Sequence, residues 1–233
     1  IQMADLVLMD ASQDARADVG GFVTAHEEKT FDRLRNQVVV FEGLHTYGGM
    51  TGRAMQVFAQ GLDEMQNESY VEWYQHQVDT FYTMLKDEGV PVYKGTKGVS
   101  LDVAAFLPHL KPEQNPKVVL AASLYIHGGI RARIDGLWAN NSTGLGAKTL
   151  QLELPRCAYT YNHLREVADE VVSVFRNRDE IGDLCLVNQP EFYDQAEFEA
   201  PHGRLFVSFP KQERSEKRLY EPHKIAIFEP LKI

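Results

Sequence analysis

An amphipathic helix beginning near residue 68 is the feature that most restricts how this chain can fold. In the stretch "ESYVEWYQHQVDTFYTMLKDEG", apolar residues recur at steps of three and four, which places them on one side of a helix. Gly89 stands where helices commonly end in a glycine. The pattern therefore predicts a long helix with one buried face, formed by Val71, Tyr74, Val78, Phe81, Tyr82 and Leu85.

The segments after this helix predict an α+β arrangement with antiparallel strands. "VPVY" and "GVSLDV" read as a strand pair, and "PKVVLAASLYIHGG" reads as a helix that starts at a proline and stops at two glycines. "IRARID" and the alternating "LQLELP" are predicted strands. A long amphipathic helix, "YNHLREVADEVVSVFRNRDE", follows, and the chain closes with "GRLFVSF", a charged tail at 211–224 and "KIAIF".

The first 65 residues have a different pattern, which predicts the end of a parallel α/β sheet. Residues 6–9 form an apolar strand that breaks into polar residues 10–14, and a second strand is expected at 19–24. A short helix over "HEEKTFDRLRNQ" precedes "VVVF" at 38–41, a continuous apolar run that suits a strand covered on both faces. A glycine-rich loop and another helix complete this part. We therefore predict an α/β domain at 1–65 and an α+β domain at 66–233.

Composition excludes two classes of partner. The formal net charge is −9 and no cluster of Lys and Arg offsets it, which argues against nucleic acid. No apolar run approaches the roughly 20 residues that a helix needs to cross a bilayer, and no signal peptide is visible.

The two cysteines, Cys157 and Cys185, are too few for a disulfide framework. They indicate free thiols in a reducing cytoplasm.

The position of the first strand raises an expectation about the N-terminus. The sequence begins at Ile1, and a strand of buried character starts within a few residues. Chain termini are usually frayed and exposed. We therefore expect a preceding segment, whether a cleaved piece, a separate chain or missing residues. The alternative is a short first strand in an intact protein.

Three stretches carry candidate chemistry. Arg156 follows a strand end and a proline, and its planar fork suits either a carboxylate ligand or an acidic neighbour on the surface. Arg131, Arg133 and Asp135 alternate, so on a strand they would share one face that is either solvated or lines a polar pocket. "HTYGGMTGR" at 45–53 either places backbone N–H groups near an anion or is a structural turn. The histidines show no metal-binding spacing.

Several stretches in collinear order resemble one family, the aromatic amino-acid β-eliminating lyases, namely tryptophanase and tyrosine phenol-lyase. They are "VGGF", "VVVFEGLHTYGGMTGRAMQVFAQGLDEM", "GVPV", "FLPHL", "LYIHGGIRA", "LPRCAYTYNHLREVAD" and, more weakly, "FVSF". The resemblance implies a pyridoxal phosphate enzyme of fold type I. It further implies that this chain is the C-terminal half, the end of the large parallel-sheet domain followed by the small domain. In the family, the upstream half carries most of the cofactor site.

The polar residues 10–14 depart from the family at the cofactor lysine. The resemblance aligns Asp10 with a serine, Ser12 with a first lysine and Gln13 with the lysine that forms the internal aldimine. A glutamine amide can neither form an imine nor act as the base that moves a proton. Asp10 would also repel the cofactor phosphate. The resemblance thus implies a degenerate cofactor site, so that any pyridoxal phosphate in a complex is not held covalently by this chain.

The family's substrate-binding positions carry over unevenly. Arg156 matches the arginine that grips the substrate α-carboxylate, and Asp135 falls where the family varies between Arg and Ile to select the aromatic side chain. The nearby Arg133 is also altered, and Lys97 falls near a family histidine. Arg204, with Leu205, replaces a pair of phenylalanines that covers an aromatic ring. Any surviving pocket is expected to be more polar than an indole or phenol site.

The family's domain-joining loop is retained, since Tyr47 with Gly48 and Gly49 matches it. Three functions remain open on these residues. The first is a subunit of a heteromeric cytoplasmic enzyme on an amino-acid-like substrate, in which a partner chain supplies the N-terminal half in a dimer of heterodimers or a larger assembly. The second is a non-catalytic structural or regulatory pseudo-subunit. The third is an enzyme remodelled to pyridoxal-phosphate-independent chemistry on a polar substrate.

Overall fold

The computed structural model describes residues 3–44, 46, 48–134, 148–156, 158–188 and 197–199. Helices and strands are mixed along this part of the chain. The helices are α1 (Ala11–Asp14), α2 (Glu28–Glu42), α3 (Gly52–Glu64), α4 (Glu68–Asp87), α5 (Val103–Phe106), α6 (Pro116–Gly128) and α7 (Tyr161–Arg176). Short 3-10 turns lie at Pro112–Gln114 and Arg178–Glu180.

The described strands form three small sheets, and every pairing among them is antiparallel. Strands β1 (Leu6–Asp10) and β2 (Gly21–Ala25) make a two-stranded sheet. Strands β3 (Val92–Lys94), β4 (Gly98–Asp102) and β5 (Thr149–Glu153) make a three-stranded sheet in that order. Strands β6 (Cys185–Asn188) and β7 (Glu197–Glu199) form a third pair.

The main core lies between the three-stranded sheet and helices α4, α6 and α7. Helix α7 contacts α4 and α6, and these two helices contact the sheet. Helix α4 places Val78, Phe81 and Leu85 in this core with 0% exposure, while Val71 is 38% exposed. Asn67 caps the helix by accepting the N–H of Tyr70 at 3.2 Å. The buried face predicted from the apolar periodicity is thus confirmed, except that it begins at Tyr74, one turn later than the pattern suggested.

The first part of the chain is thinly packed by comparison. The structure describes every residue of α2, and none of them is buried. Large apolar side chains remain open to solvent, with Leu8 at 72% exposure, Val40 at 72% and Phe41 at 78%. This part therefore presents apolar surface that its own described residues do not cover.

Two sequence predictions for this first part are wrong within the described residues. The run "VVVF" at 38–41 lies in α2 instead of forming a strand. A continuous apolar run fits a helix as well as a strand, and here it continues a segment that is already helical. The predicted parallel pairing is also wrong, because β1 and β2 run antiparallel with Leu6 opposite Ala25.

A third prediction fails beside the main sheet. "IRARID" was expected to be a strand, but between residues 130 and 134 the structure has one isolated bridge, from Arg133 to Gln151. The other predicted strands at 92–94, 98–102 and 149–153 are present. "GRLFVSF", the charged tail and "KIAIF" lie outside the described residues.

Close packing places α1 against the rest of the chain. A side chain at Gly61 of α3 would come within 2.8 Å of the backbone of Arg16, so only a glycine allows this approach. Arg16 pairs with Glu64 at 2.6 Å and lies over the Tyr70 ring at 4.9 Å. The chain just after α1 is thereby attached to α3 and to the start of α4. None of the helices described is long and apolar enough to cross a membrane.

A polar cleft between α1 and the three-stranded sheet

An open cleft of about 240 Å³ lies where α1 meets the end of the three-stranded sheet. Residues from both parts of the chain form its wall. They are Ser12 and Gln13 of α1, Tyr74 of α4, Lys97 before β4, and the run Glu153, Leu154, Pro155 and Arg156 at the end of β5. The cleft therefore brings together four residues that the sequence selected, namely Ser12, Gln13, Lys97 and Arg156.

Helix α1 forms because Asp10 caps it. The Asp10 carboxylate accepts hydrogen bonds from the backbone N–H of Ser12 at 2.9 Å and from its hydroxyl at 2.7 Å. Such side-chain acceptors satisfy N–H groups that have no partner within a helix. The backbone N–H of the buried Ala11 donates to the Gly20 carbonyl at 2.9 Å, which links the turn to the residue before β2. The Asp10 carboxylate is thus already hydrogen-bonded to the first turn of its own helix.

Gln13 is held by Arg133, an arginine distant in sequence that lies beside β5. Its side-chain oxygen accepts a hydrogen bond from Arg133 at 3.0 Å. The same guanidinium nitrogen lies 3.0 Å from a carboxylate oxygen of Glu153, so Arg133 is also ion-paired. The bridge between Arg133 and Gln151 positions this arginine beside β5. Arg133 therefore links α1 to the three-stranded sheet.

Asp14 forms the second link, through an ion pair with the Lys97 ammonium. Its other carboxylate oxygen accepts the backbone N–H of Asp10 at 3.2 Å. Burial raises the pKa of the Asp14 carboxyl, but the hydrogen bonds from Lys97 and Asp10 and the charges of Lys97 and Arg156 outweigh it. The pKa of Asp14 accordingly lies below its ordinary value of 3.8, and the carboxylate is ionised at neutral pH.

The opposite wall is fixed by backbone contacts. The Leu154 N–H donates to the Lys97 carbonyl at 2.8 Å, and the Tyr74 hydroxyl lies 3.0 Å and 2.8 Å from the carbonyl oxygens of Lys97 and Leu154. Burial raises the pKa of Tyr74 above 10.0, against the opposing charge of Arg156, so the hydroxyl stays protonated and can donate. At Gly98 a side chain would come within 2.1 Å of the Leu152 carbonyl oxygen. Lys97 and Leu154 are therefore held side by side.

Arg156 is the cation of the cleft that has no ion-pair partner among the described residues. Its guanidinium lies over the Tyr74 ring at 5.4 Å and donates to the Met65 sulfur at 2.7 Å and weakly to the Asp14 carbonyl at 3.5 Å. No carboxylate among the described residues lies within ion-pair distance of it. By contrast, Lys97 pairs with Asp14 and Arg133 with Glu153. The arrangement can therefore accept one carboxylate at Arg156.

The remaining predicted positions stay apart from this cleft or lie outside the description. Asp135, Arg204 and Tyr47 are not among the described residues, and neither is Cys157. In the glycine-rich segment, the Thr51 side chain accepts the N–H of Ala54 at 3.2 Å and so caps α3. One of the N–H groups that could face an anion there is therefore already hydrogen-bonded. Within the described part of the chain, no cluster of His, Cys, Asp and Glu could hold a metal ion.

Sequence reasoning missed two residues of the cleft. Tyr74 was assigned to the buried face of α4, and its hydroxyl, a group that this face also carries at Tyr82, was the only signal that it has a polar role. Glu153 was read as one residue of an alternating strand, and its position opposite Gly98 became visible only with the strand register. Both depend on pairings between distant parts of the chain.

Comparison with known proteins places the chain near one group of enzymes. No family model matches. A tyrosine phenol-lyase of Clostridium tetani is 37% identical over 196 residues, which is 80% of this chain and 43% of the relative. One from Pasteurella multocida is 36% identical over 200 residues, 81% of this chain and 43% of the relative. A probable tryptophanase of Halobacterium salinarum is 36% identical over 203 residues, 86% of this chain and 45% of the relative.

These relatives support the resemblance to tyrosine phenol-lyase and tryptophanase over most of the chain. The chain nevertheless spans less than half the length of the curated relatives it matches.

Proposed function

We propose that this chain, a relative of tyrosine phenol-lyases and tryptophanases, is the substrate-carboxylate-binding half of a heteromeric enzyme derived from such lyases. In this proposal Arg156 binds the carboxylate of an amino-acid-like substrate. A partner polypeptide corresponding to the other half of the relatives completes the fold in the cytoplasm, as a dimer of heterodimers or a larger assembly.

The observation that carries this proposal is the state of Arg156. Its guanidinium lines the cleft, lies over the Tyr74 ring and has no carboxylate partner among the described residues. An arginine presents two parallel N–H groups that fit a carboxylate, and such charge-assisted bonds are stronger than neutral ones. The two other cations, Lys97 and Arg133, are already neutralised. A carboxylate is therefore the ligand group that the cleft lacks.

The thin packing of the first part of the chain supports the proposal that a partner polypeptide covers it. Strands β1 and β2 form a two-stranded sheet, which is marginally stable alone. Apolar side chains such as Leu8, Val40 and Phe41 are exposed there. Exposed apolar surface and open strand edges are features that proteins normally cover. More than half of each relative's length is not matched by this chain, and a polypeptide of that kind is the occupant we propose.

The residues of α1 do not fit a pyridoxal phosphate that is bound covalently. We propose that Gln13 stands at the position of the family's lysine, and its amide has no amine to form an imine. Its oxygen is already bonded to Arg133, and Asp10 places a carboxylate on the first N–H groups of α1. Any cofactor in the assembly is therefore held by a lysine of the partner.

Reductive trapping of the native assembly tests the proposal. The tagged chain is purified under mild conditions, incubated with pyridoxal phosphate, reduced with borohydride and digested for peptide mapping. We expect a second polypeptide to co-purify and to carry the reduced label on one lysine. If the chain is isolated as a cooperatively folded monomer without a companion, the heteromeric proposal is wrong.

A non-catalytic pseudo-subunit is the second candidate. It is favoured by the ion pairs of Lys97 and Arg133 with acidic residues, because these two cations are then not available to a ligand. It predicts a companion polypeptide that carries no label and an assembly that binds no amino acid. Calorimetric titration of the assembly with amino acids distinguishes the two candidates. Binding that Arg156→Gln abolishes supports the enzyme subunit, and absence of binding supports the pseudo-subunit.

A further inference from the structure

We infer that Met65 is an oxidation site that controls whether Arg156 is available to a ligand. While the Met65 side chain is a thioether, the guanidinium of Arg156 is free to bind a carboxylate. When Met65 is oxidised to the sulfoxide, the new oxygen binds the guanidinium in place of the ligand. The inference deepens the proposed function, because it rests on the carboxylate role of Arg156 and assigns a regulation to that site.

The contacts of Arg156 put the Met65 sulfur at a sensitive position. One terminal nitrogen of the guanidinium donates to the Met65 sulfur at 2.7 Å and to the Asp14 carbonyl at 3.5 Å. A thioether sulfur is a weak acceptor, and 3.5 Å is long for a bond from N–H to oxygen. A ligand carboxylate that takes this nitrogen therefore has to displace only weak contacts.

Helix α3 holds the Met65 sulfur beside Arg156. Met65 directly follows α3, and its backbone N–H donates to the Gly61 carbonyl at 3.1 Å. Gly61 packs against the backbone of Arg16, which fixes the end of α3 next to the chain that follows α1. On the other side, the Arg156 guanidinium lies over the Tyr74 ring at 5.4 Å. The sulfur and the guanidinium are therefore neighbours before any oxidation occurs.

A small oxidant can reach this sulfur. Met65 is half-buried, and its neighbour Arg156 lines the open cleft of about 240 Å³. Hydrogen peroxide is little larger than water, so partial exposure of the sulfur is sufficient. Hydrogen peroxide is therefore the oxidant that we assign to this site.

The oxidation balances with hydrogen peroxide alone. A sulfur lone pair forms an S–O bond with one peroxide oxygen while the O–O bond breaks. The proton of the transferred oxygen passes to the departing hydroxide, which leaves as water. The sulfur is oxidised by two electrons and the peroxide is reduced by two. Methionine sulfoxide reductases reverse the change, with two thiols as the reductant and a disulfide and water as the products.

The sulfoxide changes the competition for Arg156. Its oxygen carries a partial negative charge and is a stronger acceptor for a guanidinium than a thioether sulfur. The rotatable bonds of a methionine side chain let this oxygen take the place that the sulfur had. A ligand carboxylate must then displace a strong contact. We expect its binding to weaken by roughly tenfold, the effect of one hydrogen bond to a charged group.

Met55 offers a matched control on the same helix. It lies in the first turn of α3 and is 54% exposed, so peroxide oxidises it at least as readily as Met65. About 15 Å of helix separates the two methionines, so a sulfoxide at Met55 does not reach Arg156. Leucine has nearly the volume of methionine, so a leucine at either position conserves the packing.

Peroxide treatment of the full chain, with whatever co-purifies, tests the inference through the reactivity of Arg156. Phenylglyoxal modifies accessible guanidinium groups, and peptide mapping measures its rate at Arg156. We expect mild peroxide to oxidise Met65 and to slow this labelling by roughly tenfold. Treatment with methionine sulfoxide reductases should restore the rate. Met65→Leu should abolish the peroxide effect, while Met55→Leu should retain it in full.

Three results would overturn the inference. The first is a Met65 that stays reduced under conditions that oxidise Met55. The second is an unchanged labelling rate at Arg156 once Met65 is oxidised, and the third is a peroxide effect that persists in Met65→Leu.

Calorimetric titration of the reduced protein with L-alanine tests the proposed function separately. If L-alanine binds and Arg156→Gln abolishes this binding, but oxidation of Met65 leaves it unchanged, the inference fails and the carboxylate site stands. If the reduced protein binds no L-alanine, or Arg156→Gln does not change the binding, the proposed role of Arg156 is wrong. The phenylglyoxal rates then still report whether Met65 controls the guanidinium.

Discussion

Gln13 accepts a hydrogen bond from Arg133 at 3.0 Å, across 120 residues of sequence. The guanidinium that makes this bond also pairs with Glu153. An amide oxygen suits this place because it is an acceptor without a positive charge. Gln13 thus faces a cation, and the contact attaches α1 to the three-stranded sheet.

Gln13→Lys should therefore destabilise the protein. The new ammonium would lie beside Arg133, and we expect the free energy of unfolding to fall by about 0.5–1 kcal/mol, since exposed charge pairs contribute little more. Urea denaturation measures this change. Gln13→Glu is the matched control and should be neutral or stabilising, because it offers Arg133 a carboxylate. Equal destabilisation by both variants would show that packing, not charge, governs the position.

Asp14→Asn should remove an acid-dependent part of the stability. The folded pKa of Asp14 lies below its unfolded value of 3.8, so its contribution is complete above that value and is lost as the pH falls through the lower folded pKa. The wild-type protein should thus lose more unfolding free energy than Asp14→Asn on acidification below pH 3.8. Urea midpoints across this range measure the difference. Parallel pH profiles for the two proteins would contradict the assigned ion pair with Lys97.

Tyr74→Phe should cost about 1–3 kcal/mol of unfolding free energy, because it leaves the buried Leu154 carbonyl oxygen without this donor. The Tyr74 hydroxyl lies within 3.0 Å of the Lys97 carbonyl and 2.8 Å of the Leu154 carbonyl. Tyr93→Phe is the control, since that hydroxyl makes a solvent-exposed hydrogen bond to Asp102 at 2.9 Å and its loss should cost less than about 0.5 kcal/mol. Similar losses in the two variants would argue against a structural role for Tyr74.

Phe81→Ala should be among the most destabilising single changes in α4, at about 3–5 kcal/mol. Phe81 is fully buried between the helices and the sheet, so the substitution leaves a cavity. Val71→Ala, on the same helix at 38% exposure, should change the unfolding free energy by less than about 0.5 kcal/mol. Thermal and urea unfolding of the two variants measure the contrast. A small effect at Phe81 would place the core elsewhere.

Local patterns predicted most helices and several strands. Apolar periodicity located α4 and α7, and the proline and glycines bounded α6, because these signals act within a few residues of sequence. The same logic failed for "VVVF" and for "IRARID". A short apolar run is compatible with helix or strand, and a strand exists only if a partner pairs with it.

Some residues of the cleft were predictable from the sequence, but their contacts were not. Motif resemblance selected Gln13, Lys97 and Arg156 as residues of one site, and the structure brings all three to one cleft. It could not predict that Lys97 reaches Asp14 or that Arg133 reaches Gln13. Such pairings depend on strand register and on how the chain packs α1 against the sheet.

The sequence by itself determined which residue types could form the cleft and its contacts. They are an amide at position 13, a helix-capping aspartate at position 10, and arginines at 133 and 156. It also determined the long helix, through the spacing of apolar side chains. Only the tertiary structure decided which charges are neutralised, because an ion pair requires a distance of a few ångströms between residues far apart in the chain. The fold pairs Lys97 with Asp14 and Arg133 with Glu153 and leaves Arg156 without a carboxylate among the described residues, so three similar cations have different surroundings.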